Sequence, residues 1–300
     1  MMRLSLNPEQ ACRSKEADRM DVMFNLDLVR TFTHSLRKQG FSLLPPHLSA
    51  SFSLSEFSTP MLAWIFSNRS NISETELLEL IPLDMDRQNN KVGHNILKEK
   101  ILEKYPIEEM LFNEAVNIIN GAWKEFYDLI NEINPMVSFQ TVERSQFESE
   151  SDAKFFGQII FNMKSKCSVH WAEILVHEIA HHYLNVMLAT TPMSAETKNK
   201  FKQERYSHQR SGSRPLIGIF HGVFAQSCML IYVEKIQSSD LPQEIKSKAW
   251  RTFERYGEIF PKDLETIIEE GLIEDYAGTK KIILNAQESQ KNLRELNLNG

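Results

Sequence analysis

Cysteine is scarce in this chain, basic runs are missing, and the N-terminus lacks a secretory hydrophobic core. The three cysteines among 300 residues, Cys12, Cys167 and Cys228, are odd in number and widely spaced. That argues against a disulfide framework or a cysteine-type zinc site and fits reduced thiols in a cytoplasmic protein. Lys and Arg form no stripe and no basic-aromatic interleaving, and the formal net charge is −6, so nucleic acid is not expected as a partner. The opening MMRLSLNPEQACRSKEADRM has no apolar stretch of signal-peptide length, so export by that route is not expected. One apolar run, Leu216–Val233, approaches spanning length, but His221, Gln226 and Ser227 fall in its middle; it reads as a buried helix, and no membrane partner is expected. No internal repeat is visible.

What is present is a hydrophobic fraction of 42%, ample for one large core or two smaller ones. Residues 1–134 read as a helical N-terminal part: an amphipathic helix over Asp21–Gln39, a loop over Phe41–Ser58, an apolar helical stretch Pro60–Asn68, a Ser73-x-x-Glu76 capping box, and helices over Ile96–Tyr105 and Ile107–Ile133. Its histidines, His34, His47 and His94, are isolated and read as structural or surface residues.

At Met136 the hydrophobic period changes. Met136–Glu143 alternates, and Phe155–Asn162 is rich in β-formers; the two read as an antiparallel pair leading into the next helix, with a sheet edge that could hold an extended peptide. Thr190–Arg214 is polar and rich in turn formers, and the sequence leaves open whether it is a lid or a solvated connection. Pro242–Phe260 and Asp263–Leu296 read as amphipathic helices with Trp250, Phe253, Tyr256, Ile267 and Ile268 toward the core. The expected fold is α+β, mostly α-helical, with a small antiparallel sheet. Residues 135–300 read as the second part, either a separate unit or continuous with the first, and carry the candidate chemistry.

The chemistry concentrates in WAEILVHEIAHHYLN, Trp171–Asn185, where His177-Glu178-Ile179-Ala180-His181 matches H-E-x-x-H. Four residues span slightly more than a helical turn, so both imidazoles lie on one face and can grip one ion, with Glu178 about 100° round the axis. A chance match arises in about 2% of chains of this composition, so the pattern needs support. The helix is apolar on nearly every side and therefore buried, and burying His-Glu-His without partners is costly. A hydrogen-bonded core network is the plain alternative to a metal site.

A third ligand decides the class. The extended H-E-x-x-H-x-x-G-x-x-H pattern fails, because Leu184 replaces the Gly and Met187 the last His. Glu196 and Glu204 sit in polar sequence and read as solvated, while His182 and His208 are weaker reserves and His170 is two turns from His177. His221 stands in the middle of an apolar helix between Phe220 and Phe224, with Gly218 and Gly222 permitting close approach of another element. A lone His there is usually a satisfied core residue, but beside a buried His-Glu-His helix it is the preferred third ligand. Arg214 lies about two turns earlier and could meet an anion such as a dicarboxylate beside the metal; a surface Arg at a helix start is the equal alternative.

HEIAHHYLN at 177–185 followed by SRPLIGIFHGVFA at 213–225, with its R-P-x-x-G-x-x-H-G pattern from Arg214 to Gly222, resembles the HExxH-motif peptide-modification proteins, described as 2-oxoglutarate-dependent HExxH-type peptide β-hydroxylases. The resemblance covers residues 136–236. It implies a cytoplasmic non-haem iron oxidoreductase of natural-product (RiPP) biosynthesis acting on a ribosomally made precursor peptide. His177, His181 and His221 would hold Fe(II), and Arg214 would pair with the far carboxylate of 2-oxoglutarate. Molecular oxygen would be consumed to hydroxylate a side-chain β-carbon. Glu178 would orient a ligand or water.

Two rivals stand beside this. In a zinc metallopeptidase the same histidines would hold Zn²⁺ and Glu178 would be the general base. In a non-catalytic binding module a closed four-ligand shell would only brace two helices.

Overall fold

Two apolar helices cross at the centre, and the other elements pack round them. The computed structural model describes residues 23–38, 106–133, 135–140, 149–150, 158–162, 167–191, 194–273 and 277–299. The readings for 41–58, 60–68, 73–76 and 96–105, together with His47, His94 and Cys12, lie outside them. In chain order the elements are helices α1 (Leu26–Lys38), α2 (Pro106–Ala122) and α3 (Lys124–Ile133), strands β1 (Met136–Gln140), β2 (Ser149–Glu150) and β3 (Gln158–Asn162), and helices α4 (Ser168–Thr190) and α5 (Ala195–Phe201). Strands β4 (Glu204–Ser207) and β5 (Gly212–Pro215) follow, then helices α6 (Leu216–Ser238), α7 (Gln243–Tyr256), α8 (Phe260–Glu269) and α9 (Ala277–Asn299). The class is α+β and mostly helical, as the sequence leads one to expect.

Helices α4 and α6 are apolar around most of their circumference because neither has a solvent side to supply. Helix α6 packs on α4, α7, α8 and α9, and α2 and α3 close the other side of α4. It is long and apolar enough to cross a membrane, yet 83% of its most apolar window is buried inside the fold. Phe24, Trp123, Phe126 and Tyr183 form one aromatic cluster, with Phe24 edge-on to Tyr183 at 5.1 Å. Asn25 N donates to Tyr183 Oη at 3.0 Å. The entry to α1 is thereby fastened to α4, and buried residues from Phe24 to Leu293 belong to one continuous cluster.

Several local expectations change. The helix read over Ile107–Ile133 is two helices broken at Trp123, whose N donates to Ile119 O at 2.7 Å while its own carbonyl accepts from Phe126 N and Tyr127 N. The break turns Trp123 into the core without disturbing the apolar period, so the sequence does not betray it. The strands β1 and β3 pair in parallel, Met136 opposite Gln158 through Gln140 opposite Asn162, not antiparallel. The two-residue β2 takes the antiparallel place on the other side of β3, giving the order β1-β3-β2. Asp263–Leu296 is likewise two helices: Gly271, at φ 71°, ends α8 in the left-handed region, and Leu272 N reaches back to Ile267 O at 3.2 Å. Phe253 and Ile267 are buried and Trp250 and Tyr256 half-buried, but Ile268 is 52% exposed rather than in the core.

The polar stretch before α6 is built of regular elements. It holds α5 and an antiparallel hairpin, β4 paired with β5 from Glu204 opposite Pro215 to Ser207 opposite Gly212. Buried Asp263 of α8 holds its turn, accepting from His208 N at 2.6 Å, Gln209 N at 3.2 Å and Ser207 Oγ at 3.5 Å. Ser211 takes the left-handed conformation, φ 52°, that lets the chain return. Arg205 Nε donates to Glu270 Oε1 at 2.6 Å, fixing the open end of the hairpin to the same helix.

Candidate metal centre

Helix α4 stacks His177 and His181 one turn apart, as the spacing requires. Their Nε2 atoms are 3.0 Å from each other and the rings stand at 89°, with centroids 4.6 Å apart. Two ligands each about 2.1 Å from one ion and at right angles to it are separated by about 3 Å, so this pair is already at chelating distance. Helix α6 delivers the third ring. His221 Nδ1 lies 3.4 Å from His181 Nδ1, the centroids 5.5 Å apart and the planes at 32°.

The three histidines are therefore together, but not arranged around a single point. His181 faces His177 through Nε2 and His221 through Nδ1, and the two nitrogens of one imidazole cannot bind the same ion. Among the described residues no group of three His, Cys, Asp or Glu converges as a ligand set. A three-histidine shell requires the ring of His181 or His221 to turn about its side-chain torsions.

The donor chemistry fits a metal nonetheless. Burial pushes His221 down to about 4, aided by the charge of Arg214, and holds His181 well below the usual imidazole range, with the other rings and Arg214 adding to the effect. Both rings are neutral near pH 7 and keep a lone pair for a cation.

Glu178 is buried beside them. Ser149 Oγ donates to its Oε1 at 2.5 Å, so the edge strand β2 backs the site and holds the carboxylate. A cavity of about 370 Å³ opens here, lined by His177, Glu178, Ser149, Gln209, Arg210 and Met229 among others. His170 is turned to Glu173, its Nδ1 3.2 Å from Oε2, and not to His181.

Arg214, the third residue of β5, lays its side chain against the first turn of α6. A Cβ on Gly218 would lie 3.1 Å from its Nε, so the glycine is what makes room for the guanidinium. Among the described residues that guanidinium makes no hydrogen bond or ion pair. Burial and Arg210 lower its proton affinity while Asp263 raises it, and its own charge helps to lower that of His221.

Gly222 plays the same part for Gln209. A Cβ there would fall 2.6 Å from Gln209 Oε1 and 4.0 Å from Gln226 Nε2. Gln226 is fully buried, and neither end of its amide has a hydrogen-bond partner among the described residues. An orphaned amide beside the His221 turn favours a polar guest in this part of the fold.

The other candidate ligands are elsewhere. His182 is fully buried on another face of α4, His208 packs its ring edge-on to Tyr206, Glu196 pairs with Lys200 and Glu204 accepts from Ser213 Oγ. Neither Cys167 nor Cys228 is in a disulfide, and burial pushes the Cys228 thiol upward. Sequence reasoning missed Ser149, Gln209 and Asp263. The paired glycines signal close approach to α6 but not the identity of the visitors, and a lone serine among polar residues carries no signal at all. No protein-family model matches this chain, and no curated protein matches it either.

Proposed function

We propose that the chain is an Fe(II)- and 2-oxoglutarate-dependent oxygenase that hydroxylates a side-chain β-carbon of a ribosomally made peptide. The observation carrying this reading is Arg214: an arginine laid over Gly218, which is one turn before His221, forming no ion pair among the described residues and lying beside neutral imidazoles. A guanidinium kept there is suited to a substrate carboxylate. When bound, iron with 2-oxoglutarate and oxygen supplies an oxidant that converts a C–H into a C–OH, with succinate and carbon dioxide as the other products.

The chain's own residues do the rest. His177, His181 and His221 would hold the ion through ring nitrogens, once one ring has turned. Arg214 anchors the far carboxylate of 2-oxoglutarate and so fixes which end of the cosubstrate meets the metal. Glu178, restrained by Ser149, accepts hydrogen bonds from a ligand or water and has no obligatory proton to remove. The peptide enters by the cavity beside His177.

Hydrolysis on Zn²⁺ is the second reading, and it draws on Glu178 lining the same cavity as His177, where a general base would have to sit. The two demand opposite things of Glu178. Under the oxygenase reading Glu178→Gln keeps its hydroxylation within about tenfold of wild type. Loss of all turnover with metal stoichiometry and fold intact points to hydrolysis. The direct experiment loads Fe(II) without oxygen and adds 2-oxoglutarate. A visible charge-transfer band is expected, and then, on admitting oxygen with a precursor peptide, succinate and one added oxygen atom per turnover. Peptide fragments formed without 2-oxoglutarate would overturn the proposal.

A further inference from the structure

The cavity beside His177 does not end there. It shares His170, Glu173 and Arg255 with a second cavity of about 370 Å³ that runs on between α4 and α7 to Cys167. Lys248, Arg251 and Arg255 line this extension at intervals of three and four along α7, so they form one stripe. Arg210 adds a fourth cation at the metal end. Against them stand Glu173, turned to His170, and Glu178, held by Ser149. On a chain of formal net charge −6 this is a local reversal of sign.

We propose that the groove between α4 and α7 binds an acidic segment of the peptide substrate and sets which residue reaches His177. The inference rests on the peptide reading above. The fit is one of charge and length. From His177 to His170 is seven residues of helix, about 10 Å at about 1.5 Å per residue. An extended chain covers that in about three residues at about 3.3 Å each. A carboxylate about three residues from the reacting position therefore lies beside Arg255, and the next acidic residues meet Arg251 and Lys248. Arg251 is exposed and has no ion-pair partner among the described residues, whereas Lys248 is shared with Glu244 at 2.6 Å.

The test uses the full chain and direct binding. Two fluorescein-labelled dodecapeptides of glycine and serine are compared by anisotropy, one carrying Asp-Asp-Glu and the other Asn-Asn-Gln. Without added metal, the acidic peptide is expected to bind about tenfold tighter, with the preference shrinking in high salt. Arg251→Gln should weaken it about fivefold, Arg251→Lys should restore most of that, and Arg255→Glu should abolish the preference. With Zn²⁺ bound, peptide hydroxamates carrying one Asp at increasing distance should bind tightest when it is three residues from the hydroxamate. Equal binding of both peptides, a preference that survives Arg255→Glu, or tighter binding of a thymidine dodecanucleotide would overturn the proposal. Because the first comparison needs no metal, a groove that binds the acidic peptide in a protein that fails to use 2-oxoglutarate separates this inference from the oxygenase reading.

Discussion

His221 sits where a proton is unwelcome. Its affinity for one is pushed down to about 4 in the folded chain, against about 6.5 when unfolded, chiefly by burial. The contribution to stability is therefore complete above about pH 6.5, falls as the unfolded chain takes up the proton, and is lost by about pH 4, a swing of about 3 kcal/mol. In metal-free protein, His221→Phe should lose less stability than wild type between pH 7 and pH 4.5, measured by urea unfolding at each pH. Arg214 makes a separate prediction. Arg214→Gln should raise the KM for 2-oxoglutarate tenfold or more with a smaller change in kcat, and Arg214→Lys should recover only part, since an ammonium cannot form the paired bonds of a guanidinium. Removing either ring of the close pair, by His177→Ala or His181→Ala, should abolish stoichiometric metal uptake in equilibrium dialysis. At this scale the sequence was informative, because a four-residue spacing on an apolar helix dictates which imidazoles stack. Which nitrogen each ring presents depends on side-chain torsions, and no spacing encodes those, so the face His181 turns to His221 was not legible.

Helices α4 and α6 were legible because uniform apolarity over more than twenty residues leaves few other readings. The smaller elements were not. Strand β2 has two residues, too short for any period, and it, not β1, takes the antiparallel place beside β3. The hairpin of β4 and β5 hides in polar sequence because its order comes from a distant carboxylate rather than its own apolar content. Asp263 itself reads as an unremarkable acid in the first turn of an amphipathic helix. Asp263→Ala should cost about 2–4 kcal/mol, since a buried carboxylate accepting from two backbone amides and a hydroxyl leaves those donors unsatisfied. Hydrogen exchange should show the cost as lost protection confined first to residues 204–215, with Gln209 released from Gly222.

Across the described residues, the N-terminal helices and the helices that carry His177, His181 and His221 share one core, joined at Phe24, Trp123 and Tyr183. The sequence left open whether 1–134 and 135–300 are separate units, because aromatic residues from both sides are equally suited to a private core or a common one. Tyr183→Phe removes the acceptor for Asn25 N and should lower stability by about 1 kcal/mol; thermal melts would read it as a small, uniform shift rather than a separate early transition. The two central helices also have an implication for handling the protein. Their struts are knitted together by hydrocarbon whether or not a cation is aboard, with Phe224, Ile179 and Val223 wholly enclosed. Dialysis against EDTA should leave the circular-dichroism spectrum unchanged, unlike a zinc finger stripped of its ion. The same scaffold could then be offered cobalt, nickel and iron in turn, and the proposed site judged by which ion the protein retains.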